Sequence, residues 1–330
     1  MKCTEKKGIL ALHSAQLKIS MVEALKKSRS GRQAMDQLLY GFSKEKMISL
    51  TYVDVTEAAK ELERKHLSGP TAGRFLAEAL AAVAIMSSDL GNKDEKLAMQ
   101  AQVSGPMGGC FVDVSRQGNL RGYTNAKILN DFDGTENASL DVPLGDSGSI
   151  TFTHSSNLGI ISQQQIACNP LNLRHGLARY FNDIQQKPTA IEISATSRDH
   201  RIHHAVGLRM TRLPEGSPED FVPLLERFND LTIKKALAQS IDIKVMSELL
   251  GLTDLQIIEQ RVLSAECTCS LEKVLYSISC LPAEELEEII EKKECPEVYC
   301  HFCSKLYKIT TEEIARLLRE KTNKETDETD

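Results

Sequence analysis

Hydrophobic and polar positions change rhythm several times along this chain, and each change predicts an element. Residues 47–55 (M-I-S-L-T-Y-V-D-V) alternate as a strand does, and Thr56 offers an N-cap to a helix over 57–66. Gly69-Pro70 breaks the chain before a run over 71–86, F-L-A-E-A-L-A-A-V-A-I-M at its centre, that is apolar on every side. Such a helix has no face for water and belongs inside a core, where its alanines permit close packing. Strand patterns follow over 97–103, 110–114, 120–124, 149–154, 159–166, 190–195 and 204–210, with a helix at 173–184. Runs of strands between helices predict an α+β fold with a largely antiparallel sheet and packed helices.

After Leu213-Pro214-Glu215-Gly216-Ser217-Pro218 the period changes to 3.6, with short amphipathic helices over 219–230, 231–238 and 244–250. Their apolar faces carry Phe221, Leu224, Leu225 and Phe228, then Met246 and Leu249, and the N-terminal sheet is the natural surface for them. Further helices are expected over 271–279, 283–292 and 311–319, and a strand hairpin over 298–309. The expected organisation is an appended extension (1–35), an α+β core (36–213), a helical linker (214–261), a small C-terminal α/β module (262–320) and a charged, disordered tail (321–330).

Candidate chemistry concentrates in that module. Cys267 and Cys269 form C-T-C, and Cys300 and Cys303 form C-H-F-C. Residues i and i+2 of an extended segment point to one side, and a CxxC turn also brings two thiols together, so the four suit a tetrahedral Zn²⁺. A zinc site of purely structural purpose fits this spacing. The CxC arm favours a redox role, because a disulfide between i and i+2 closes a small ring and should be strained and labile.

The wider composition narrows the setting. In 330 residues, 41% hydrophobic and 26% charged, there are nine cysteines, an odd number with four at metal spacing; this predicts a reducing, cytoplasmic environment rather than a disulfide framework. A net charge of −6 argues against nucleic acid as the main partner, and no run of 18 apolar residues suggests a membrane span. The loop Gly105–Gly109 leads into a strand without a following Lys-Ser/Thr, so it reads as turn chemistry rather than a phosphate site. His200, His203 and His204 read as solvated, and Cys110 and Cys168 as buried small hydrophobes. No arrangement predicts a catalytic site, and the chain is expected not to be an enzyme.

The motifs G-P-M-G-G (105–109), V-D-V (112–114), N-L-R-G-Y (119–123), V-G-L-R-M (206–210), E-C-T-C-S (266–270) and C-H-F-C (300–303) give the chain a resemblance to the 33 kDa chaperonin family, redox-regulated heat-shock holdases, from Asp36 to about Leu318. The family's zinc ligands fall on Cys267, Cys269, Cys300 and Cys303. The resemblance implies one Zn²⁺ per reduced chain, and an oxidised form with Cys267 joined to Cys269 and Cys300 to Cys303. It further implies that zinc loss unfolds the module and then the linker, whose Phe221, Leu224, Leu225, Phe228, Met246 and Leu249 capture unfolding client proteins without ATP. Client binding and dimerisation are thereby assigned to the core, with a homodimer for the oxidised state. The chain differs from the family in Leu271-Glu272-Lys273 after the CxC serine, in Cys280 and Cys295, and in its N-terminal extension. A zinc-ribbon nucleic-acid-binding protein and a thiol–disulfide oxidoreductase remain alternative readings of the cysteines.

Overall fold

The computed structural model describes residues 35–239, 242–292 and 295–327, with side chains to Lys321. The expected extension, apart from Met35, lies outside the described residues. The chain divides into two compact units at Ala265/Glu266.

The first unit is built on two five-stranded antiparallel sheets. One contains β1 (Gln37–Ser43), β2 (Ile48–Asp54), β8 (Thr189–Arg198), β9 (Arg201–Arg212) and β10 (Gln256–Val262), in the order β10-β1-β2-β9-β8. The other contains β3 (Lys96–Val103), β4 (Gly109–Ser115), β5 (Leu120–Thr124), β6 (Gly148–Ser156) and β7 (Gly159–Cys168), in the order β5-β4-β3-β6-β7. Helices α1 (Thr56–His66) and α2 (Pro70–Met86) join the two sheets in one core with the short α3 (Asp141–Leu144) and with α4 (Leu173–Arg179), which continues as a π turn to Ile184. Of α2, only Pro70 and Glu78 are not buried. Its apolar surround is explained by this position: Leu76, Leu80 and Ile85 share a core with Val53 and Ala205 of the first sheet and with Met99 and Val112 of the second.

The opposite face of the first sheet is covered by α5 (Pro218–Phe228), α6 (Leu231–Leu237) and α7 (Ile243–Leu250). Ile48, Leu50 and Tyr52 alternate to that side of β2 and meet Phe221, Leu224, Phe228, Ile233, Met246 and Leu250. Each of these helices begins with a capped amide: Ser217, Asp230 and Asp242 accept from the N–H two residues on.

Three expectations change. The segment expected to be helical to residue 261 ends instead in β10, which pairs antiparallel with β1, Gln37 opposite Val262. The tail expected to be disordered from Lys321 continues a helix to Asp327, and residues 328–330 lie outside the described residues. His204 is not solvated: it lies 8% exposed in β9, and burial, with His203 beside it, pushes its imidazole down to about 4.

The second unit contains α8 (Leu271–Ser279), α9 (Ala283–Glu291), the hairpin β11 (Glu297–Tyr299) and β12 (Leu306–Lys308), and α10 (Thr311–Asp327). Its core is small: Leu275, Leu286, Tyr307, Ile309, Ile314 and Leu317 are its buried apolar residues among those described.

Candidate metal centre

Cys267 and Cys269 lie in the extended segment that enters α8, where Ser270 accepts from the Lys273 N–H and starts the helix immediately after the second thiol. Cys300 and Cys303 occupy the turn between β11 and β12. That turn is closed by Cys300 N–H donating to Lys305 O (2.9 Å) and Ser304 N–H donating to Cys300 O (2.8 Å). A helix start and a hairpin turn thus each present two sulfurs to one point, all four half-buried and within 4.8 Å of one another.

The arrangement fits a tetrahedral metal. An ideal four-sulfur shell with metal–sulfur bonds near 2.3 Å has edges of about 3.8 Å. Cys267 Sγ lies 3.6 Å from Cys300 Sγ, and Cys269 Sγ 3.5 Å from Cys303 Sγ. Both short edges run between the arms, so a bound ion would tie the α8 entry to the hairpin. An all-sulfur donor set suits zinc and disfavours magnesium or calcium.

Charge is unevenly held in the cluster. Burial raises the Cys269 thiol, but hydrogen bonds from Tyr307 and from Cys303, Cys267 and Cys300 outweigh it and bring it down to about 7. Burial pushes Cys267 up to about 12, reinforced by its hydrogen bonds to the other thiols. The first proton leaves near neutrality and the next is resisted by the negative charge already there. A divalent cation removes that resistance, since thiolates are the ligand form.

The four expected ligand residues are therefore brought together. Cys110 and Cys168 are buried in the first unit, as expected of small hydrophobes, and burial pushes Cys110 up to about 12. The Gly105–Gly109 loop is the β3–β4 turn: Gly109, at φ +129°, approaches Ala101 O so closely that a Cβ would stand 2.1 Å from it. The linker residues are placed on one face, with Phe221, Leu224, Phe228 and Met246 buried and Leu225 and Leu249 partly so. The sequence reading missed Tyr307, which donates its hydroxyl to Cys269 Sγ at 3.0 Å. An amphipathic side chain four residues beyond the last cysteine was its only signal.

These features define an α+β protein in two units, the smaller organised on four convergent thiols. The family model described as Hsp33 protein matches residues 36–310, and the chain belongs to that family. It is 29% identical over 300 residues to a 33 kDa chaperonin of Clostridium perfringens (strain SM101 / Type A), covering 89% of this chain and 94% of that one. It is 28% identical over 267 residues to a 33 kDa chaperonin of Geobacillus sp. (strain WCH70), covering 79% and 90%. Its fold is similar to the crystal structure of the 33 kDa chaperonin (heat shock protein 33 homolog) of Thermotoga maritima, with a TM-score of 0.77 at 20% identity over 88% of this chain and all of that one. No described helix is long and apolar enough to cross a membrane.

Proposed function

We propose that this chain is a redox-regulated, ATP-independent cytoplasmic holdase whose thiol centre binds one Zn²⁺ when reduced and releases it on oxidation. The observation that carries the reading is the convergence of four thiols in a unit with so small an apolar core. Metal binding contributes about 10–16 kcal/mol to small zinc modules, more than six buried side chains supply after the entropy of ordering the chain. Removing the ion therefore unfolds the module.

A hydroperoxide is a sufficient oxidant. In each arm two thiols lose two electrons to one peroxide, giving one disulfide and two waters (an alcohol and a water from an organic peroxide), with Cys267 joined to Cys269 and Cys300 to Cys303. The CxxC arm closes first, because the CxC ring is the more strained.

Client binding follows from the layer formed by α5, α6 and α7. Val222 and Leu231 already stand exposed there, 53% and 61%, beside the partly buried Leu225 and Leu249. Loosening these helices from β2 and β9 uncovers Phe221, Leu224, Phe228 and Met246, an apolar surface of the kind that binding proteins use. The chain continues from Ala265 directly into the module, and on this reading loss of the module's fold loosens β10 and the linker, which the truncation described below tests. A homodimer of the oxidised form belongs to the same reading, and no enzymatic activity is assigned.

The test measures zinc release and light scattering of a heat-denatured client in parallel during peroxide treatment. Oxidised, metal-free protein is expected to suppress aggregation without ATP, and reduced protein is not. A truncation after Ala265, which keeps β10 and the contacts of Leu263 and Ser264, should suppress aggregation without oxidant. A folded truncation that binds no hydrophobic dye and leaves aggregation unchanged would refute control of the linker by the module.

A further inference from the structure

Tyr307 belongs to the small core of the second unit, 7% exposed, with Lys305 Nζ 4.9 Å from its ring centroid. Its ring is thus held by packing, and its hydroxyl points at the thiol cluster rather than at water. The donors to the sulfurs are unequal. Cys267 accepts the backbone N–H of Cys269, and Cys303 that of Lys305. Cys269 accepts a side-chain hydroxyl at 3.0 Å, from a ring fixed in β12. A phenol O–H is a more acidic donor than an amide N–H, and it withdraws more charge from the sulfur that accepts it.

We propose that Tyr307 is a positioning residue of the thiol centre: its hydroxyl donates to Cys269 Sγ, damps the nucleophilicity of that sulfur toward hydroperoxides and strengthens retention of the metal by the CxC arm. The inference rests on the metal-binding reading above. Oxidation begins when a thiolate lone pair attacks a peroxide oxygen, forming S–O and breaking O–O, with the distal oxygen leaving as hydroxide and taking a proton to become water. The second thiol of the arm then displaces the sulfenic hydroxyl as water and forms S–S. A metal-bound thiolate keeps a lone pair with which to attack, and the hydrogen bond from Tyr307 withdraws charge from that sulfur, so its reactivity falls. Outer contacts of this kind typically alter affinity or reactivity 10–100-fold in metal sites.

The experiment uses the full-length reduced chain with Tyr307→Phe, which keeps the ring and its packing and removes the donor. Loaded with Co²⁺, the unsubstituted protein is expected to show tetrahedral tetrathiolate bands, and Y307F the same bands with sulfur-to-cobalt charge transfer moved to lower energy. Loaded with Zn²⁺, Y307F is expected to release metal under hydrogen peroxide roughly tenfold faster, with Cys269 among the first sulfurs trapped as sulfenic acid. Site-specific 3-fluorotyrosine at position 307, a stronger donor of the same shape, should move the bands and the rate the opposite way, and it decides the matter should Y307F fail to load metal. A cobalt spectrum and release rate insensitive to both replacements would overturn the inference while leaving the metal site intact. Failure of the unsubstituted chain to bind cobalt at all would overturn both.

Discussion

Arg116 Nη1 lies 2.8 Å from Glu259 Oε1, tying the β4–β5 turn of one sheet to β10 of the other. Glu259 also receives the guanidinium of Arg261, whose Nη1 donates to Ser87 O at 3.0 Å. Ser264 then exchanges backbone hydrogen bonds with the same turn, its N–H donating to Gly118 O (3.0 Å) and its O accepting from Leu120 N–H (2.8 Å). The last stretch of the first unit is therefore stitched to both sheets immediately before the thiol module begins.

That stitching gives the first prediction. Gly118 adopts φ +95°, and a Cβ there would stand 2.1 Å from Val262 O. Gly118→Ala should cost about 1–3 kcal/mol and raise amide exchange at Leu120, Leu263 and Ser264. Gly134→Ala, where a Cβ meets nothing within 4 Å, should stay within about 0.5 kcal/mol of the unsubstituted protein. Equal effects in urea denaturation would show that the turn does not hold the strand.

Much of this was legible in the residues, for identifiable reasons. The helix at α2 announced itself because burial between two sheets demands apolar residues all round, and the hairpins did because their turns are local. β1 escaped although Leu38, Tyr40 and Phe42 alternate, since Gly41 interrupts the run where the β1–β10 register shifts. β10 escaped because its partner lies more than 200 residues away, and Ile257-Ile258 amid polar neighbours has no period of its own. The four cysteines were legible because metal geometry acts at spacings of two and three residues. Tyr307 was not, because a hydrogen bond to a sulfur 38 positions earlier leaves no periodic trace.

The linker layer gives the second prediction. Phe228 is 1% exposed between α5 and the first sheet, so Phe228→Ala should cost about 3–5 kcal/mol, and reduced protein should then bind hydrophobic dye. Val222→Ala, at an exposed position on the same helix, should change stability by no more than about 0.5 kcal/mol. Dye binding that remains at the reduced baseline in F228A would argue that loosening this layer does not uncover the client surface.

A third prediction concerns pH. Both carboxylate oxygens of Asp36 accept backbone hydrogens at the start of α1, Oδ1 from Glu57 (2.8 Å) and Oδ2 from Ala58 (2.6 Å). Burial nevertheless dominates and raises its carboxyl from 3.8 to about 7. The folded state therefore holds a proton that the unfolded chain releases between those values. The stability this provides is complete below about pH 4 and is lost as pH rises through 7, on the order of a few kcal/mol. Asp36→Asn removes the titration, so the stability of the unsubstituted chain relative to the variant should fall between pH 5 and pH 8 in urea denaturation. A constant difference across that range would show that Asp36 is ionised throughout.

The last prediction separates ligand cysteines from packing cysteines. Cys300 Sγ stands 3.6 Å from Cys267 Sγ, and the Cys300 backbone closes the hairpin turn, so its sulfur is one corner of the site and its amide is not involved in the metal. Cys300→Ser leaves that amide in place and exchanges a thiolate for a hydroxyl, which stays protonated at neutral pH and is a poor zinc ligand. The variant should lose stoichiometric zinc on dialysis and, with it, the fold of the second unit, seen as disordered amide signals for residues 266–320. The core shared by the two sheets should keep its own unfolding transition, because it includes none of these cysteines, while β10 and the linker helices loosen with the module. Cys110→Ser offers the contrast: it places a hydroxyl in a buried apolar site and should destabilise the first unit by about 1–3 kcal/mol while retaining one zinc per chain. Metal content by emission spectrometry, measured beside urea unfolding, distinguishes the two. One zinc per chain in C300S would remove Cys300 from the ligand set and with it the tetrathiolate reading of the centre.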